Sequence, residues 1–259
     1  MTNVLCTQKE NRTMSKDASR NLGNPYPYAT YSSILREFLH LPGSPVAVGF
    51  AFAEKDIPTG LEEVPKKLRH CEMVNLARSE SKSLFARRDM HLCAGGAWAL
   101  GLAELTNSLK TGEFYFKLGK FESMSSCKRT IDSVPAIEAE LVHATMYAPL
   151  ENTPFDPAVV IIIAEPIYLL KMAQAYLFKH GGRITSNFSG IQSVCADATA
   201  QPYLSGSLNI SLGCDGSRKY SDIKSHLMVA GIPIEELPDI VMALPIVSGA
   251  PGSSTAKKI

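Results

Sequence analysis

The sequence lacks most of the signatures that assign a function outright. No apolar run approaches the roughly 20 residues that span a bilayer; the longest extends only from Ala158 to Ala164. Residues 1 to 20 are polar and hold no apolar core of the kind a secretion signal needs, so a cytoplasmic protein is expected. Neither sign of charge is in excess. Lys+Arg number 26 against 25 Asp+Glu, a net charge of +1. This balance speaks against a general nucleic-acid binder and against a polybasic membrane contact. No Cys-x-x-Cys pair occurs, which removes zinc ribbons and thioredoxin-type sites in their usual forms. Gly-x-Gly-x-x-Gly and Walker A sequences are absent, so nucleotide binding has little support. There is no His-Glu-x-x-His for a zincin protease and no Gly-x-Ser-x-Gly for an α/β-hydrolase.

What is present is an ordinary folded chain. Its 259 residues are 45% hydrophobic, enough for one large domain or two small ones without disulfide or metal staples. Strand patterns fall at Pro45 to Ala53, Leu141 to Tyr147, Leu208 to Leu212 and, most strongly, Pro157 to Ala164. Glu113 to Phe121 and Arg183 to Phe188 are further strand candidates. Helical patterns fall at Tyr31 to Leu41, Pro65 to Arg78, Cys93 to about Leu109, Cys195 to Leu204, Ser221 to Val229 and Ile234 to Leu244. Another helix opens at Glu165-Pro166 and is stopped by Gly181-Gly182. Helix and strand are mixed throughout, so the expected class is α/β or α+β. Residues 1–24, which include Cys6, and residues 249–259 read as polar tails. Two lobes, 25–150 and 151–248, lie between them.

The two lobes carry features in the same order. Pro45-Val46-Ala47-Val48 is followed by a helix, Cys71 and then Leu92-Cys93-Ala94-Gly95. Pro157-Ala158-Val159-Val160 is followed by a helix, Cys195 and then Gly213-Cys214-Asp215-Gly216. Duplication is one explanation and convergent turn chemistry the other. Duplication predicts two similar lobes about a pseudo-two-fold axis, with a site near that axis.

Cys71, Cys93, Cys195 and Cys214 are the candidate site. Cys93 lies just ahead of a helix, where free N–H groups and the dipole favour a thiolate. Gly95 and Gly216 each follow a cysteine by two residues and let backbone amides approach an anion. A cubane cluster takes four thiolates from distant segments, and a tetrahedral zinc takes four as well. Four buried thiols and a single nucleophilic cysteine complete the set of readings. Cys127, in a basic stretch, has no counterpart in the repeat and reads as a surface or half-buried thiol. Arg78 and Arg218 follow cysteines at helical spacing and are candidates to offset cluster charge or hold an anionic small molecule. Arg183 is a third of that kind. Asp197 reads as a helix cap. His70 and His91 stand beside Cys71 and Cys93 and read more simply as bystanders. Trp98 reads as a core residue.

Ser193-Val-Cys-Ala-Asp-Ala-Thr-Ala-Gln-Pro and Asn209-Ile-Ser-Leu-Gly-Cys-Asp-Gly-Ser-Arg218 resemble the family of domain of unknown function 169. So do Cys71 with Ala77-Arg78, and Cys93-Ala-Gly-Gly-Ala with Leu100-Gly101. The resemblance covers about Tyr31 to Val247. The family has no assigned activity and is found mainly in anaerobic bacteria and archaea. The resemblance implies that Cys71, Cys93, Cys195, Cys214, Arg78 and Arg218 occupy motif positions. It places an oxygen-sensitive iron–sulfur cluster, of [4Fe–4S] type, ahead of zinc. The expected protein is thus an iron–sulfur protein with an electron-transfer or redox role, conceivably an oxidoreductase, working on or near an anionic small molecule or with a redox partner protein. With three cysteines bound, the fourth iron would be open to act as a Lewis acid or hold a sulfur atom. The alternatives are a zinc-stabilised non-catalytic binding module and a metal-free thiol enzyme. Homo-oligomerisation is left open, and no nucleic-acid or membrane partner is expected.

Overall fold

The computed structural model describes residues 28–249. The expected tail 1–24 with Cys6, and the tail beyond 249, lie outside the described residues. The strands are β1 (Val46–Ala51), β2 (Glu62–Glu63), β3 (Leu84–Arg87), β4 (Ala144–Pro149), β5 (Val159–Ala164), β6 (Asn209–Ser211) and β7 (Met228–Pro233). They form a single seven-stranded sheet in the order β2-β3-β4-β1-β5-β7-β6. Only β2 and β3 pair in parallel; the other neighbours are antiparallel. The protein is therefore α/β with a mixed sheet.

The helices are α1 (Tyr28–Leu39), α2 (His70–Glu80), α3 (Ala94–Ala99), α4 (Asn107–Lys110), α5 (Glu113–Lys117), α6 (Met124–Ser133), α7 (Pro166–His180), α8 (Gln201–Ser205), α9 (Asp215–Tyr220) and α10 (Leu237–Val247). A π-helix covers Ser193–Ala200. Helices α1, α7 and α10 cover one face of the sheet, on Ala47, Val160, Ile162, Ala164, Ala230 and Ile232. Helix α2 and the π-helix cover the other, on Val46, Val48, Tyr147, Val159, Ile161, Ile163 and Val229. Alternate residues of β5 thus enter different layers, yet all are buried. That is why its sequence reads as an unbroken apolar run.

The sheet is continuous through both halves of the chain and is joined at the antiparallel β1–β5 pair. Outward from that pair the order is β1-β4-β3-β2 on one side and β5-β7-β6 on the other. In each half, the first cysteine starts a helical segment ahead of the outer strand. The second cysteine caps a short helix just after that strand. The order of cysteine-bearing helical segment, strand and cysteine-capped helix recurs in both halves, while β2 and α7 have no counterparts.

Several local expectations fail for identifiable reasons. Glu113 to Phe121 is not a strand: α5 occupies it, entered through Gly112 at φ 84°. The alternation of Phe114, Phe116 and Leu118 reflects large apolar side chains that stay 40–55% exposed, not a sheet face. Arg183 to Phe188 is irregular. The stretch Ser221 to Val229 leads as a loop into β7. Strand β7 is covered on both sides, so no period distinguishes it from a helix. The helix over Pro65 to Arg78 starts only at His70, which moves Cys71 from mid-helix to the first turn. The helix from Cys93 ends at Ala99 rather than near Leu109.

Candidate functional site

The four cysteines expected to act together line one cavity of about 740 Å³. They come from four segments, and each stands at the start of a helical element. Cys93 is the N-cap of α3 and Cys214 the N-cap of α9. Cys71 is the second residue of α2. Cys195 is the third residue of the π-helix. Helix starts have N–H groups without intrahelical partners and the positive end of the dipole, so four such ends favour negative charge at the sulfurs. One of these contacts is direct: the Ser217 N–H donates to Cys214 Sγ at 3.4 Å. Gly95, Gly96 and Gly216 also line the cavity. Gly96 is the closest of the three to two thiols at once. A Cβ there would lie 3.6 Å from Cys195 Sγ and 3.7 Å from Cys93 Sγ.

Burial opposes charge on the bare thiols. Desolvation, with the neighbouring Cys214 and Cys93, pushes Cys71 up to about 12 despite a hydrogen bond from Ser221. Cys195 is raised well above the usual thiol range by burial, and then by Cys93, Cys214 and Cys71. Those couplings are a consequence of four sulfurs sharing one enclosure.

A buried polar network sits behind the cysteines. His70 bonds through Nδ1 to the Tyr147 hydroxyl at 2.8 Å and through Nε2 to Thr199 Oγ1 at 3.0 Å. Tyr147 and Thr145 are 2.8 Å apart, and His91 Nε2 reaches Thr145 Oγ1 at 3.0 Å. Thr199 donates to the Val194 carbonyl at 2.7 Å. The network ties the first turn of α2 to β4 and the π-helix, and so fixes Cys71 against Cys195. It replaces the bystander reading of His70 and His91. Asp197 does not cap a helix: it is buried within the π-helix and accepts from Ser211 at 2.6 Å. Burial raises it to about 7.

These shifts predict an acid-labile fold. Burial lowers His70 to about 3 and His91 to about 4. Below about 6.5 the unfolded chain takes up protons at these rings that the folded chain refuses. Stability contributed by neutral His70 and His91 is therefore complete above 6.5 and is lost as pH falls towards 4 and 3. Asp197 acts with opposite sign between 3.8 and 7, but one carboxyl does not outweigh two imidazoles. Urea titrations should show a loss of a few kcal/mol between pH 7 and pH 4. A pH-independent midpoint would contradict the buried neutral histidines.

Neither arginine expected at the site is among the residues that line this cavity. Arg78 is 7% exposed, bonds Asn75 Oδ1 at 2.8 Å and lines a separate cavity of about 240 Å³ with His40, Glu165 and Asp222. Arg78 shares a face of α2 with Cys71 but stands two turns, about 10 Å, further along the helix. Arg218 donates to the carbonyls of Leu212, Lys224 and Leu227. It braces the loops around Cys214, and its donors are engaged by the backbone. Arg183 is exposed, and Cys127 is fully buried on α6 and does not line the cavity. At the cavity the cations are Arg69, Lys120 and Lys219. Arg69 lies 3.7 Å over the Tyr220 ring and pairs with Glu72, while Lys120 pairs with Asp215.

One lining residue had no sequence signal. Gln192 is 4% exposed and precedes the π-helix in the left-handed region, at φ 53° and ψ 40°. Neither its side-chain N–H₂ nor its carbonyl has a hydrogen-bond partner. The Tyr115 hydroxyl is close enough to feel the amide, which offsets part of the upward push of burial on that phenol. The contact does not have hydrogen-bonding geometry. An unpaired buried amide costs about 1–3 kcal/mol, and a left-handed non-glycine about 1 more.

An α/β fold with four helix-start cysteines round one cavity defines the class, and comparison with known proteins places the chain within a family. The profile of domain of unknown function 169, described as an uncharacterised ArCR family, matches residues 34–243. The chain belongs to that family. It is 46% identical over 211 residues to an uncharacterized protein of Methanocaldococcus jannaschii, covering 81% of this chain and 90% of that protein. No solved structure matches. Among the described residues, no helix is long and apolar enough to cross a membrane.

Proposed function

We propose that Cys71, Cys93, Cys195 and Cys214 hold an iron–sulfur cluster of [4Fe–4S] type, and that the protein serves electron transfer or redox chemistry on a small molecule in the same cavity. The observation that carries this reading is the convergence of four thiols, from four helix starts, on one enclosure. A cluster core with its thiolates is an anion. Four helix N-termini and the glycine backbone beside Cys93 and Cys195 suit such a charge. Bound there, a cluster supplies one-electron transfer. The chain's own residues exclude water, orient the thiols through the His70 network and offer cations at the mouth.

The alternatives fit less well. Among the described residues, no three His, Cys, Asp or Glu side chains are arranged to hold a metal ion. A tetrahedral zinc with bonds of about 2.3 Å would need its sulfurs within about 4 Å of one another. A thiol enzyme built on Cys71 or Cys195 would need a lowered pKa, whereas burial pushes both up. The anaerobic, cytoplasmic setting belongs to the same proposal.

Protein isolated without oxygen should be brown, with broad absorbance near 400 nm that bleaches with dithionite. A colourless protein with one tightly held zinc would replace this reading with the zinc-stabilised module.

A further inference from the structure

Helix α10 is apolar on every side. Asp239 is its single charged residue. A helix of that composition is ordinarily covered all round. Here only one side is covered: Leu237, Ile240, Val241, Ala243 and Leu244 enter the core, while Met242 and Ile246 stay exposed. Helix α7 packs beside α10 and runs antiparallel to it. Its last turn meets the start of α10 through the Lys179–Asp239 pair and through His180 and Glu236, 2.7 Å apart. Ile167, Leu170 and Phe178 fall on the α7 face opposite the buried Leu169, Met172 and Ala175. The outward side chains of the two helices, Ile167, Leu170, Phe178, Met242 and Ile246, are 45–64% exposed. Together they make one apolar patch across the helix layer.

At roughly 200 Å² for a fully exposed side chain of this size, the patch offers roughly 500 Å² of apolar surface. A standard interface buries roughly 800 Å² on each partner, and in homodimers about 65% of that is apolar. The patch therefore matches one side of such a contact. The charges between the two helices, Lys179 and Asp239, neutralise each other, so the face can meet its own copy across a two-fold axis without repulsion. The chain ahead of α1 offers little to cover it. After Met1, the large apolar side chains of residues 1–24 are only Val4, Leu5, Met14 and Leu22, scattered among polar ones. We infer that two copies of the chain associate two-fold through the outer face of α7 and α10. That face lies across the sheet from α2 and the π-helix, which carry Cys71 and Cys195. The dimer thus leaves both cysteine cavities open and turned away from each other. The inference goes beyond the proposed function and does not depend on it.

Sedimentation velocity on the full chain, isolated without oxygen, tests this. The unaltered protein should sediment with a mass twice the 28.1 kDa of one chain. Leu170→Lys and Met242→Lys, made separately, should each weaken association by about 100-fold or more, because a two-fold contact buries the new charge twice. Both positions are exposed in the single chain, so circular dichroism and thiol content should stay unchanged. Leu204→Lys is the control: Leu204 is 50% exposed on α8, outside the patch, and that variant should remain a dimer. A monomeric unaltered protein would overturn the inference and leave the face to residues 1–24 or to a different protein. A dimer that survives both Leu170→Lys and Met242→Lys, or that is lost in Leu204→Lys, would place the interface elsewhere and overturn it as well.

Discussion

Cys195→Ala protein, isolated without oxygen, is expected to lose nearly all of its iron and sulfide. Cys195 shares the cavity with the other three thiols, and its pKa is raised by burial first and then by Cys93, Cys214 and Cys71. It is also the most buried of the four, 8% exposed, so no solvent-borne ligand readily takes its place. The change from thiol to methyl is small, and the fold should survive it. Far-ultraviolet circular dichroism should therefore match the unaltered protein while absorbance near 400 nm disappears. Cys127→Ala supplies the control. That thiol is fully buried, in the cluster that also holds Ile131 and Leu100, and does not line the cavity, and its loss should leave iron content unchanged. Full iron retention in Cys195→Ala would remove Cys195 from the ligand set.

Gly231→Ala should be the most damaging single substitution in the sheet. Gly231 is on β7, paired with Ile161 of β5 and Asn209 of β6. The π-helix crosses directly above it. A Cβ at this position would fall 2.0 Å from the Ala198 carbonyl oxygen and 2.7 Å from its carbon. Both are backbone atoms of a segment whose eight residues are all buried, so neither can swing away. Either β7 or the π-helix must move, at a cost of about 3 kcal/mol or more. Moving the π-helix also moves Cys195. The expected result is a lower denaturation midpoint together with a lower iron content, and a midpoint within about 0.5 kcal/mol of the unaltered protein would show that the packing is less tight than described.

The legible part of the fold was the part with a strong local pattern. Residues 159–164 could be read because six consecutive apolar, mostly β-branched residues ahead of Glu-Pro admit little else. Helix α7 could be read from Pro166 at its start and the glycines at its end. Cys93 could be placed ahead of its helix. What could not be read was set by tertiary contact. The π-helix has no sequence period of its own and is held by β7, by Asn209 bonding the Asp197 carbonyl at 2.8 Å and by the Thr199–Val194 bond. Helix α9 is only six residues long and rests on Cys214 as its cap. Arg78 and Arg218 matched motif positions, but a motif residue can brace a loop as well as face a ligand. Gln192 carried no sequence signal, since its burial and its lack of a hydrogen-bond partner arise only from tertiary packing. The four cysteines of the repeated order were the legible part of the site, since all four line one cavity.

The most direct test is the ratio of iron to acid-labile sulfide in the protein isolated under strict exclusion of oxygen. The account predicts about four of each per chain, the composition of a cubane, with little zinc. One zinc per chain without sulfide, or a full complement of free thiols with no metal at all in active protein, would contradict it.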